Sequence, residues 1–82
     1  MPYERVVKAK TKMVGAKETL KAVERGQAKE VFLAQDADEH VIKPIAQLCQ
    51  EKKVAATVVE SMQKLGKACG IDVKCACVAI VD

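Results

Sequence analysis

Three short apolar runs constrain this chain more than any other feature. EVFLAQ spans Glu30 to Gln35, VAATVV spans Val54 to Val59 and ACVAIV spans Ala76 to Val81. Each is too short for a self-sufficient helix and is rich in β-branched or compact apolar side chains, so each reads as a buried strand. Met13 and Val14 add a shorter one. The segments between the runs carry helical spacing instead. Ala16, Leu20 and Val23 form the stripe of a helix from Ala16 to Arg25, and Ile45, Leu48 and Cys49 turn inward on a helix from Ile42 to Lys52. Two further helices are expected, from Pro2 to Ala9 and from Met62 to Cys69. Strands alternating with helices predict a central, largely parallel sheet with helices on both faces.

The punctuation agrees. Gly15 breaks the chain before the second helix, Gly26 suits its C-terminal cap, Ser61 caps the last helix and Gly70 ends it. Pro44 is expected in the first turn of its helix, because deeper placement removes a hydrogen bond. DADEH and IDVKC read as loops. In sheets of this kind ligand sites lie where loops gather at one end. Three loops are candidates: Gly15, Gln35 to His40, and Ile71 to Cys75.

Composition narrows the classes. The chain has 82 residues, half of them hydrophobic and 30% charged, which predicts one globular domain spanning 1–82. No apolar run approaches the roughly 20 residues of a membrane-spanning helix. MPYERVVKAKTK lacks the apolar core of a signal peptide, so a cytoplasmic protein is expected. In that compartment Cys49, Cys69, Cys75 and Cys77 read as buried thiols, and their spacing lacks the paired knuckles of a zinc site. No phosphate-binding loop, dinucleotide fingerprint or nucleophile–base pair is present, so an enzyme is not expected. His40 reads as a surface loop residue, and Asp36, Asp38 and Glu39 as a solvated turn without the ligand number of a calcium loop. No metal or cofactor is expected.

Charge is uneven. Residues 1–29 hold eight Lys or Arg against three Glu, whereas residues 30–60 hold three Lys against six acids. A basic first third suggests an anionic partner such as nucleic acid. Tyr3 and Phe32 are the only aromatics, so recognition by stacking bases on an exposed sheet is not expected. Charge, helix termini and hydrogen bonds to base edges remain. The stretch GAKETLK offers all three. Gly15 permits close backbone approach, and the helix after it presents free N–H groups to a phosphate. Lys17, Lys21 and Arg25 recur every four residues, a spacing at which like charges repel. Lys17 and Lys21 can donate to phosphate or guanine, whereas ionised Glu18 only accepts. One acid within a basic patch can read a base that offers an N–H; the same residues equally suit an ordinary solvated helix face.

GAKETLKAVERGQAKEVFLAQDAD followed by LGKACGIDV resembles the kink-turn RNA-binding family of ribosomal proteins to which archaeal L7Ae belongs. The resemblance covers nearly the whole chain, and the short length is similar to bacterial members. It implies a three-layer α/β/α sandwich with a mixed, roughly four-stranded sheet. It implies binding, without catalysis, of an RNA helix kinked at tandem sheared G·A pairs beside a bulge. Gly15, Ala16, Lys17 and Glu18 fall on the family's Gly-Thr-Asn-Glu block, and Lys21 on its following lysine. Asp38 falls on the second acid of its Asp-x-Asp loop, and Ile71, Asp72, Val73, Lys74, Cys75 and Ala76 on the loop that packs against the bulged nucleotides. Three positions depart: Ala16 for Thr, Lys17 for Asn, and Lys74 where proline is frequent. Lys17 exchanges an amide that donates and accepts for a pure donor, which predicts stronger salt dependence.

The implied partner is ribosomal RNA or a riboswitch, with no DNA and no membrane, and the implied state is a monomer, because no apolar seam is left after the core is assigned. A competing expectation is a ribosome-associated module that docks a protein through an exposed Ile71 to Ala76 loop. Another is a thiol sensor built on Cys69, Cys75 and Cys77.

Overall fold

The apolar runs meet in one four-stranded sheet with strand order β1-β4-β2-β3. The computed structural model describes residues 2–82. Its elements are α1 (Pro2–Lys8), β1 (Lys12–Val14), α2 (Ala16–Glu24), β2 (Glu30–Ala34), α3 (Glu39–Lys52), β3 (Ala55–Val59), α4 (Met62–Ala68) and β4 (Cys77–Ile80). Side chains alternate between the two sheet faces. Phe32, Ala34, Val78 and Ile80 face α1 and α4 and meet Val6 and Leu65. Val31, Leu33, Cys77 and Ala79 face α2 and α3 and meet Val23, Ile45 and Cys49. The result is the three-layer sandwich that the family resemblance implies.

The sheet is mixed, and the expectation of a largely parallel one is corrected. Only β2 and β3 run parallel; β4 is antiparallel to both β1 and β2. The cause lies after α4. The Cys75 N–H donates to the Met62 carbonyl at 3.1 Å, so the loop has climbed back to the start of α4 before β4 begins. A chain entering the sheet where β3 left it can only run antiparallel.

Two other readings are revised. VAATVV forms an edge strand rather than a buried one. Ala55, Ala56 and Val58 are exposed, Val58 by 61%, and only Val59 is buried. An unpaired apolar edge is therefore left over, contrary to the absence of a seam expected above. The third helix begins at Glu39, three residues early, because the Asp38 carboxylate accepts the His40 N–H at 2.9 Å and caps it. Pro44 then falls in the second turn and leaves the His40 carbonyl without its helical donor.

Strands β1, β2 and β3 all leave the sheet at the end where β4 enters. Gly15, Gln35 to Asp38, Ser61 and Ile71 to Ala76 therefore gather there, which agrees with the three loops predicted from sequence.

Candidate nucleic-acid interface

Gly15 makes the turn from β1 into α2. Its φ of 98° lies where L side chains are strained, and its N–H donates to the Cys77 carbonyl at 2.9 Å, tying the turn to β4. No side chain caps α2, whereas Asp38 caps α3 and Ser61 caps α4. The first-turn N–H groups of α2 are thus open to a ligand. Lys17, Glu18 and Lys21 are exposed, and Ala16 is half-buried. Thr19, which sequence reasoning passed over, is fully buried, and its hydroxyl donates to the Met13 carbonyl at 3.4 Å. This bond fixes the helix start against β1. Its signal was positional: Thr19 sits on the inward stripe, but its polarity hid it.

The Ile71 to Ala76 loop is built on α4. The Ile71 N–H donates to the Gly66 carbonyl at 3.1 Å, and the Ala34 N–H to the Ala76 carbonyl at 2.8 Å. Gly66, also missed from sequence, makes the close approach possible. A Cβ there would stand 2.1 Å from the Val73 carbonyl oxygen. Asp72 and Lys74 are exposed, as is Val73 at 68%, but Ile71 is half-buried and packs on the core instead of being the exposed anchor expected above. Together with Gln63 and Lys67 of α4 the loop encloses a cleft of about 330 Å³.

Cys75 forms the floor between this loop and the Gly15 turn. Hydrogen bonding from the Cys69 thiol brings its pKa down to about 7 against the opposing effect of burial, helped by the nearby Gly15 N–H. As a thiol it donates to the Cys77 carbonyl at 2.9 Å. Cys69 shifts upward because it keeps the shared proton, and burial pushes Cys77 up to about 11. All four cysteines are unpaired thiols.

Asp36 and Asp38 have structural work. Asp36 accepts the Met62 N–H at 2.8 Å and so holds the start of α4, while Asp38 caps its own helix. Among the described residues no cluster of side chains is arranged to hold a metal ion. The structure thus brings Gly15, Lys17, Glu18 and Lys21 beside the Ile71 to Ala76 loop, through contacts of Gly15 with Cys77 and Cys75. Asp38 lies at the same end, one strand further across. Arg25 lies at the opposite end, about 12 Å along α2 from Lys17.

The basic first third is split by the fold. Of its eight cations only Lys17 stands at the loop-bearing end, Lys21 lies midway along α2, and the others lie toward the opposite end. The half of the molecule that carries the loops holds six lysines against seven acids. This end offers placed donors and acceptors and the uncapped N-terminus of α2, with little bulk charge behind them.

A folded domain of this architecture is matched by known proteins. Residues 3–82 match the model of the Ribosomal protein L7Ae/L30e/S12e/Gadd45 family, and the chain belongs to that family. It is 47% identical over 81 residues to an RNA-binding protein of Bacillus pumilus, covering 99% of both chains. It is 44% identical over 81 residues to the RNA-binding protein YbxF of Geobacillus stearothermophilus, again covering 99% of each. Among solved structures, a Giardia lamblia 15.5kD RNA binding protein superposes with a TM-score of 0.87 at 30% identity, covering 98% of this chain and 68% of the other.

Proposed function

We propose that this protein is a non-catalytic RNA-binding protein of the cytoplasm that stabilises kink-turns in ribosomal RNA or a riboswitch. One observation carries the reading: the uncapped start of α2 and the Ile71 to Ala76 loop share one end of the sheet, joined through the Gly15 N–H and the Cys77 carbonyl. In this reading α2 enters the groove opened by the kink. Lys17 and Lys21 donate to guanine edges or phosphate, and Glu18 accepts from a guanine N–H. Asp38 keeps one carboxylate oxygen for its helix and offers the other to the RNA. The cleft beside Ile71 to Lys74, with its apolar wall and the charges of Lys67 and Lys74, takes an unstacked bulge nucleotide. Stabilisation follows from differential affinity, because only the bent RNA presents both surfaces at once.

The test is a titration of a labelled kink-turn helix and of a matched helix whose sheared pairs are changed to Watson–Crick pairs, at two salt concentrations. A preference of at least about a hundredfold for the kink-turn, retained at the higher salt, is expected. Glu18→Ala and Lys21→Ala should each lower kink-turn affinity by about 1–3 kcal/mol. Equal binding to both helices, lost with salt, would leave only an electrostatic patch and favour a protein-docking role for the loop.

A further inference from the structure

The net positive charge of this protein is not at its candidate RNA site. The end of the sheet where β1 and β2 begin and β4 finishes also receives the last turns of α1, α2 and α3. That half of the molecule holds eight of the fourteen basic residues against four acids, so it carries more than the whole net charge of +3. Two of the eight are used internally. Arg5 pairs with Glu30 at 3.5 Å and donates to the Asp82 carbonyl at 3.3 Å, and the Lys12 ammonium donates to the Val6 and Ala9 carbonyls at the end of α1. The other six are Lys8, Lys10, Arg25, Lys29, Lys52 and Lys53. All are exposed, and none makes an ion pair among the described residues.

The backbone brings Lys10, Arg25, Lys29 and Lys53 to this end of the sheet, with Lys8 and Lys52 in the last turns of α1 and α3. The Lys29 N–H donates to the Ile80 carbonyl at 2.7 Å, and Glu30 registers with Ala55, which sets Lys29 beside the Lys53 turn. Arg25 caps α2 four residues before Lys29, and Lys10 adjoins the end of β4 through its N–H bond to the Asp82 carboxylate at 3.0 Å. Two of the four acids, Glu30 and Asp82, are already engaged. Cations near helix C-termini complement the helix dipole, which is the ordinary use of such residues. Here that use is too small. Three C-termini supply about half a negative charge each, and Lys10 and Lys29 belong to no helix.

We infer that this basic pole is a second RNA-binding surface, which grips the phosphate backbone of a separate duplex segment while the loop-bearing end is occupied. The chemistry selects phosphate over bases. Neither aromatic residue lies at the pole, so no aromatic side chain stacks a base there. The contact is sequence-independent and strongly salt-dependent. Because the two surfaces lie at opposite ends of a molecule 29 Å in its longest extent, one protein bridges two RNA elements. The local structure at the first end and the bulk charge at the second then act as separate determinants.

The experiment uses the full chain saturated with an unlabelled kink-turn helix, to which a fluorescent plain RNA duplex is added at low salt. Anisotropy should report capture of the duplex. The triple variant Arg25→Gln, Lys29→Gln and Lys52→Gln should lower that capture at least about tenfold and reduce the salt slope by about one per contact removed. Its kink-turn affinity should stay within about twofold, and its melting temperature should show that it is folded. Lys29→Arg with Lys52→Arg should keep capture, because charge rather than side-chain identity is read. Failure of the protein to prefer kink-turns in the separate titration would remove the proposed function but not this surface. In that case duplex capture is read directly on the free protein and on its Glu18→Ala, Lys21→Ala variant. Equal duplex capture by the wild type and the folded triple variant, or no capture by the wild type at low salt, would overturn the inference.

Discussion

At the scale of single residues, the site depends on positions that hardly advertise themselves. Lys17, Glu18 and Lys21 are readable as candidates because they follow Gly15 and fall on the block that carries the family resemblance. Gly66 is not, since its requirement comes from the Val73 carbonyl, which the chain brings over it only after turning back. Gly66→Ala should force that carbonyl away and cost about 1–3 kcal/mol of stability. Amide exchange in Ile71 to Cys75 should quicken, and kink-turn affinity should fall although no RNA contact is deleted. Cys75 makes a different prediction. Its folded pKa of about 7 lies below the ordinary 9.0, so between these values the unfolded chain holds more protons than the folded one. Stability should therefore rise as pH rises from about 7 to 9, and be lost as pH falls through 7. Above 9 the upward shift of Cys77 reverses the trend. Urea midpoints across this range should show the rise in the wild type and not in Cys75→Ser.

At the scale of elements, strand runs and helix periods were readable, but direction and edges were not. Periodicity reports which side chains face a core and says nothing of which end a strand enters. That is why the α4 to β4 return, and with it the mixed sheet, escapes it. VAATVV looks as apolar as EVFLAQ, yet position at the sheet edge exposes it. Cap chemistry explains the shift of the α3 start, since an Asp in DADEH serves a helix as readily as a loop. Asp36 couples two such elements by holding the first N–H of α4 from the β2–α3 turn at 2.8 Å. Asp36→Ala should cost about 1 kcal/mol, and more than Ser61→Ala at the neighbouring cap, because it frees the turn as well as the helix. Chemical denaturation of both variants and of the double variant measures this directly.

At the scale of the whole molecule, the basic first third suggests an anionic partner but not where charge would act. The fold sends most of those cations to the far pole and leaves the loop-bearing end nearly balanced. A balanced site must recognise shape and placed hydrogen bonds, and shape is what a kink-turn offers. The most direct measurement of that claim follows the RNA. A kink-turn helix carrying a donor and an acceptor dye on its two arms reports its bending as energy transfer. Adding the protein should raise energy transfer to a saturating, stoichiometric level, and a helix without its sheared pairs should show no rise at the same concentration. Binding that leaves transfer unchanged in the kink-turn helix, or raises it equally in both, would contradict the account.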